Sequence, residues 1–187
     1  MNILITGANG QLGNQMRLLG ARSRDHYIFT DVVAPEGVAT TILDITNINN
    51  VRALCEAEQV DVIVNCAAYT NVDKAESDAE FCETLNAKAP QNLAEVMKER
   101  SGLLVHISTD YVFEGNLDIP HKPYDPINPQ SVYGKSKAAG EQAIFDADCH
   151  AVIIRTSWLY SEYGGNFVKT MLRLGREKDE LRVVDDQ

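Results

Sequence analysis

The chain has 187 residues, enough to bury one sizeable core, and its 44% hydrophobic and 24% charged content is that of an ordinary soluble globular protein. A net charge of −10 argues against nucleic acid and anionic membrane surfaces as partners. No apolar run approaches the ~20 residues of a membrane span. Strand-forming residues begin at Asn2 with no basic leader, so no signal peptide is expected. Cys55, Cys66, Cys82 and Cys149 form no C-x-x-C pair and read as free thiols of a reducing, cytoplasmic compartment. His26, His106, His121 and His150 show no ligand spacing, so no metal site is expected.

Asn2 to Thr6 (Asn-Ile-Leu-Ile-Thr) is a β-branched run of the kind that forms a buried parallel strand. It enters a loop holding Gly7, Gly10 and Gly13, and Gln11 onward reads as a helix with Leu12, Met16 and Leu19 on one stripe. A strand that turns through glycines into a helix N-terminus makes an anion site, because the first N–H groups lack partners and the dipole favours negative charge. Gly7 allows the turn, Gly10 lets a pyrophosphate approach the backbone, and Gly13 lets helix and strand pack closely. Asn9, Gln11 and Leu12 complete this candidate cradle.

Further strands are expected at Tyr27–Val33, Val38–Leu43, Val60–Ala68, Gly102–Thr109, Ala151–Ser157 and Leu181–Val184. Helices are expected at Ile48–Glu58, from a capping box at Ser77–Glu80 to about Arg100 with a break near Pro90, at Ser131–Phe145 and at Asn166–Lys178. Tyr111 to Gln130, rich in Pro, Gly, Asp and Asn, reads as a long loop of the functional kind. Strands alternating with helices predict one α/β domain over residues 1–187: a doubly wound parallel Rossmann sheet with helices on both faces.

In such a sheet, ligands bind beyond the carboxyl ends of the strands, at the switch point. Gly7, Asp31, Asp44, Ala67, Ala68, Thr109 and Trp158 all fall at or just after predicted strand ends. Asp31 stands about 20 residues past the glycines, where an acid bonds ribose hydroxyls and repels a 2′-phosphate; the plainer alternative is a turn Asp after a strand. Asp44 with Ile45 either flanks an adenine or caps the next helix. Tyr133 and Lys137 share one helix face. A cation there lowers the tyrosine pKa from ~10 toward the working range and can reach a cofactor ribose. Taken alone, a Tyr and Lys four apart are usually just an exposed helix pair; the glycine loop upstream and Ser108-Thr109-Asp110 favour chemistry here. A hydroxyl in Ser108-Thr109-Asp110 can hold a substrate carbonyl beside the phenol.

Together the glycine loop, Asn65-Cys-Ala-Ala68, Ser108-Thr-Asp-Tyr-Val-Phe113 and Tyr133-x-x-x-Lys137 resemble the extended short-chain dehydrogenases/reductases. Within them, Ala67-Ala-Tyr-Thr-Asn-Val-Asp-Lys-Ala-Glu76, Leu85-Asn-Ala87 and Arg155-Thr-Ser-Trp-Leu-Tyr160 are similar to the dTDP-4-dehydrorhamnose reductase family. The resemblance implies hydride transfer from NADH or NADPH to C4 of a dTDP-4-dehydro-sugar. It assigns Tyr133 as proton donor, Lys137 as the residue that holds the ribose and lowers the tyrosine pKa, and Thr109 as the carbonyl-orienting hydroxyl. It adds Tyr69 to the cofactor residues Ala67 and Ala68, and puts Thr70, Val72, Asp110, Tyr111 and Trp158 on the sugar side. Family members often accept both cofactors, against the NAD preference suggested by Asp31. Some dimerise through a divalent metal held by acids, one on the first helix. Gln15 stands there in this chain, so a homodimer stays open while its metal-linked form is not expected. The family also continues past Gln187 into a smaller substrate-binding region, so the chain is expected to be a fragment that binds dinucleotide and turns over poorly. The alternatives are a reductase of another dTDP-4-keto-6-deoxysugar, or a non-catalytic dinucleotide-binding regulatory subunit.

Overall fold

A computed structural model of the chain describes residues 1–115 and 120–183. Six parallel strands form one sheet: β1 (Asn2–Thr6), β2 (His26–Asp31), β3 (Thr41–Ile42), β4 (Val62–Asn65), β5 (Leu103–Thr109) and β6 (His150–Thr156). Their order is β3-β2-β1-β4-β5-β6, so the direction of winding reverses between β1 and β4. A crevice opens at that switch point, and the glycine loop leaves β1 beside it.

Period-2 alternation divides the core. Ile3 and Ile5 of β1 pack on one face with Ala8 and with Met16 of α1 (Gln11–Gly20). Leu4, Ile63 and Leu104 face the other way, onto α2 (Ile48–Ala57), α5 (Ala89–Arg100) and α6 (Val132–Ala147). The expected α/β architecture, with helices on both faces, is the one observed. Among the described residues no helix is long and apolar enough to cross a membrane.

Several boundaries differ from expectation. The strand expected over Val38–Leu43 shrinks to Thr41–Ile42, an exposed edge pairing. The strand expected at Ala151–Ser157 is β6, at the other edge of the sheet, with Val152 and Ile154 exposed. Leu181 to Val183 form no strand, and Val184 lies outside the described residues, as do residues 116–119 of the long loop. Ser77 caps nothing: its hydroxyl donates to the Lys74 carbonyl at the end of a short α3 (Val72–Ala75), and Asp78 takes the N-cap position of α4 (Ala79–Glu83).

The expected break at Pro90 has a definite form. Thr84–Lys88 is a π-helical turn joining α4 to α5, with Pro90 in the first turn of α5. Proline has no N–H to give the Asn86 carbonyl four residues back. That carbonyl instead abuts Gly140 of α6, where a Cβ would clash with it. The final helix, α7 (Phe167–Glu177), is capped by Asn166 and buries none of its residues.

Candidate active site

A cleft of about 680 Å³ runs along the carboxyl ends of β1, β2, β4, β5 and β6. At one end lies the glycine cradle. Gly7 has φ +61°, a left-handed backbone that L side chains adopt at a cost, and a Cβ there would sit 2.7 Å from the Cα and N of Ala67. Gly13 touches the loop from the helix side, where a Cβ would lie 2.5 Å from the Cα of Ala8. Gly10 is the N-cap of α1; it offers no side-chain cap, and no acid stands in the first turn. The leading N–H groups of α1 therefore face the cleft uncompensated, the arrangement that receives a phosphate.

Asp31 closes β2 at the cleft rim. The Asn9 N–H donates to its Oδ2 at 3.0 Å and the Val32 N–H to its Oδ1 at 2.8 Å, which fixes the carboxylate with lone pairs to spare. Arg17 lies behind this corner, 4.6 Å over the Phe29 ring, donating to the Ala8 carbonyl, Asn9 Oδ1 and Thr40 Oγ1. Burial lowers the Arg17 pKa, with Asp31 opposing.

The other end of the cleft is built by β5 and α6. Ser131 caps α6 by accepting from the Gly134 N–H at 3.0 Å, and Tyr133 and Lys137 then lie one turn apart. Lys137 is 2% exposed, and its Nζ donates to the Ile107 carbonyl at 2.7 Å. Burial lowers its pKa to about 8, against the opposing pull of Glu141. Burial raises the Tyr133 pKa, the Thr109 hydroxyl counteracts it, and Asp110 adds to the rise. This differs from the expectation that Lys137 lowers the tyrosine pKa: the ammonium is spent on Ile107 and makes no hydrogen bond to Tyr133. Thr109 also differs in detail. Its hydroxyl donates to Asp110 Oδ1 at 3.1 Å and accepts from the Tyr111 N–H at 3.2 Å, so it must rotate to donate to a carbonyl. The Tyr111 ring stands edge-on to Tyr133 with centroids 5.6 Å apart.

Of the residues singled out from sequence, Gly7, Gly10, Gln11, Leu12, Asp31, Ile45, Ala67, Ala68, Thr70, Val72, Thr109, Asp110, Tyr111, Tyr133, Lys137 and Trp158 line this one cleft. Trp158 does so with φ +53°, a strained backbone of the kind that collects at functional sites. Asn9, Gly13, Asp44 and Tyr69 do not line it. Asn9 and Gly13 act from behind, on Asp31 and on loop packing. The Asp44 carboxylate accepts from the Thr46 N–H and hydroxyl, a turn role ahead of α2. Tyr69 is buried beside Phe81 and donates to Asp78.

Two supports escaped the sequence reasoning. Glu141, buried on α6, accepts from Arg155 Nε at 3.0 Å, from Arg155 Nη2 at 2.6 Å and from the Ser108 hydroxyl at 2.5 Å. The β5–β6 register sets Ser108 beside Arg155, so this pair braces the strand end that carries Thr109. Asn86, in the π turn, accepts from the Tyr69 N–H at 2.8 Å and donates to the Tyr69 carbonyl and Ser136 hydroxyl at 3.0 Å. It ties the loop after β4 to α6. The one advance signal for Asn86 was its place in the Leu85-Asn-Ala87 match, which said nothing of these contacts.

Fold and cleft together define a Rossmann-type α/β domain with its crevice at the strand-order switch, the class that binds nucleotides there. The chain belongs to the RmlD substrate binding domain family, whose profile matches residues 1–187. It is 42% identical to a dTDP-4-dehydrorhamnose reductase of Aggregatibacter actinomycetemcomitans, over 99% of this chain and 60% of that protein. Among solved structures it is similar to a dTDP-4-dehydrorhamnose reductase from Clostridium acetobutylicum, at 42% identity and a TM-score of 0.90 over 100% of this chain and 64% of that one. It is also similar to the Bacillus anthracis dTDP-4-dehydrorhamnose reductase in complex with NADP, at 39% identity and TM-score 0.81 over 96% of this chain and 61% of that one. The chain thus spans about three fifths of the curated relatives it matches.

Proposed function

We propose that the chain is the dinucleotide-binding part of a dTDP-4-dehydrorhamnose reductase, reducing the C4 keto group of dTDP-4-dehydro-L-rhamnose with NADPH or NADH. What carries this is the sharing of one cleft by the glycine cradle and the Thr109, Tyr133 and Lys137 triad. The NADP bound to the Bacillus anthracis relative supports the cofactor class. A cytoplasmic location accompanies this reading, as the free thiols suit a reducing compartment.

The uncapped start of α1 and the close approach allowed by Gly7 fit a pyrophosphate, and Asp31 fits the adenosine ribose. When bound, the reduced nicotinamide supplies the hydride. Tyr133 gives its phenolic proton to the substrate oxygen as that oxygen becomes an alkoxide. Burial keeps the phenol protonated at neutral pH, the form that a reduction needs. Thr109 turns its hydroxyl from Asp110 to the carbonyl oxygen and orients it. Lys137 is mainly ammonium at pH 7 and lends positive charge to the reacting end. Asp110, Tyr111 and Trp158, with Thr70 and Val72, form the wall available to the sugar.

The chain's single tryptophan, Trp158, lines the cleft, so its fluorescence reports NADPH binding by the fragment directly. In the protein at the length of its relatives, NADPH oxidation should depend on dTDP-4-dehydrorhamnose. Tyr133→Phe should lower turnover about 10²–10⁴-fold while leaving cofactor affinity unchanged. Near-wild-type turnover in that variant would remove Tyr133 from the chemistry.

A further inference from the structure

Behind Lys137 lies a row of polar side chains that the proposed mechanism does not use. The strand registers set Thr6 of β1 beside Asn65 of β4, and Asn65 beside His106 of β5. All three are at most 1% exposed. The Thr6 hydroxyl donates to Asn65 Oδ1 at 2.6 Å, Asn65 Nδ2 lies 3.0 Å from His106 Nδ1, and His106 Nε2 lies 3.3 Å from Lys137 Nζ.

The proton positions follow from the fixed end of the row. The Ala67 N–H also points at Asn65 Oδ1, at 3.2 Å, so that atom faces two donors and must be the oxygen. The amide nitrogen therefore donates to His106 Nδ1, which must carry a lone pair. The neutral ring then holds its proton on Nε2, and that N–H faces the lysine nitrogen. With Lys137 as the amine, each group donates to the next: Thr6 to Asn65, Asn65 to His106, His106 to Lys137, Lys137 to Ile107. With Lys137 as the ammonium, the His106 contact sets donor against donor.

We infer that His106 is a positioning residue that tunes the protonation of Lys137, with Thr6 and Asn65 holding its imidazole in the Nε2–H form. The inference rests on the reductase reading only for its kinetic consequence. The other groups facing Lys137 act in the opposite sense: Glu141, one turn on and paired with Arg155, and Cys82 of α4 both favour the ammonium. Tyr133, one turn earlier, is held as the phenol. Burial of the imidazole keeps it neutral, which the row requires. The lysine thus titrates near pH 8, closer to neutrality than a buried ammonium paired only to a carboxylate would.

Imidazole nitrogen NMR on the chain reads the tautomer without any assay of activity, with His106→Gln identifying the signal. The expected result is a neutral Nε2–H ring at pH 7; an Nδ1–H tautomer or an imidazolium overturns the inference. Lysine nitrogen or Cε shifts followed against pH give the Lys137 midpoint. Asn65→Leu frees the ring to turn its lone pair on the ammonium and should raise that midpoint by about one pH unit, a tenfold gain in proton affinity. His106→Gln keeps an acceptor toward Asn65 and a donor toward Lys137, and should leave it in place. An unmoved midpoint in Asn65→Leu with the tautomer changed overturns the inference. If Asn65→Leu does not fold, the wild-type tautomer decides alone. In the longer protein the basic limb of the kcat/KM profile should follow the midpoint. Absence of turnover in the wild-type protein would sink the reductase reading and leave the NMR outcome to judge His106.

Discussion

Replacing Arg155 by Met isolates the buried ion pair that braces the active strand end. The Glu141 side chain is 3% exposed and the Arg155 side chain 21%, so the substitution strands a carboxylate with only the Ser108 hydroxyl as partner. Breaking a buried pair from one side costs roughly 3–5 kcal/mol, and the partial exposure of Arg155 puts the expectation near the lower end, about 3 kcal/mol. Loss of the guanidinium stacked 4.9 Å over the Phe113 ring, and of its bond to the Pro123 carbonyl, adds a smaller amount. For a chain of this size each kcal/mol moves Tm by about 2–4 °C, so Arg155→Met should melt roughly 6–12 °C lower by circular dichroism or calorimetry. Glu141→Gln in the same background removes the stranded charge while keeping an acceptor for Ser108, and should recover at least half of the loss. A shift of under about 3 °C, or a double variant as unstable as the sum of the two singles, would refute the claim that these groups are coupled and desolvated.

Gly7→Ala should destabilise the chain by at least ~1–2 kcal/mol from the left-handed backbone alone. It should also abolish Trp158-detected NADPH binding, since the added methyl presses on Ala67; intact binding would contradict the cradle. Asp31→Ala should raise the NADPH-to-NADH affinity ratio about tenfold, roughly 1.4 kcal/mol, by removing a carboxylate from beside the 2′ position; an unchanged ratio places Asp31 outside the ribose site. Lys137 has its pKa lowered to about 8 in the folded chain against 10.5 unfolded. The unfolded state therefore binds more protons between those values, and stability should rise with pH from about 8 to 10.5 through this group. Urea denaturation across that range should show the rise in wild type and not in Lys137→Met; parallel curves would mean that the amine is not buried as described.

Legibility followed distance along the chain. Strand–glycine–helix at residues 2–13 and the four-residue spacing of Tyr133 and Lys137 are local patterns, and local backbone geometry alone places those groups together. Asp31 and Thr109 were within reach because both sit at strand ends, and the Rossmann winding brings every such end to one edge. The Asp44 carboxylate was ambiguous for the opposite reason: a short polar side chain near a helix start satisfies itself locally, and here it does, on Thr46. The π turn was legible only as a disturbance at Pro90, because its register depends on Gly140 admitting the Asn86 carbonyl.

The sequence by itself determined the α/β winding, the strand–glycine–helix turn of residues 2–13 and the one-turn spacing of Tyr133 and Lys137, since these rest on periodicity and on residues close in the chain. Only the tertiary structure decided which groups set their protonation. Arg155 and Ser108 both reach Glu141, and Thr6, Asn65 and His106 line up toward Lys137, through contacts between separate elements at residues 14 to 59 positions apart. Desolvation follows the same rule. Lys137 and Tyr133 look like an exposed helix pair in one dimension, and it is the sheet packed beneath α6 that dries them and moves both pKa values.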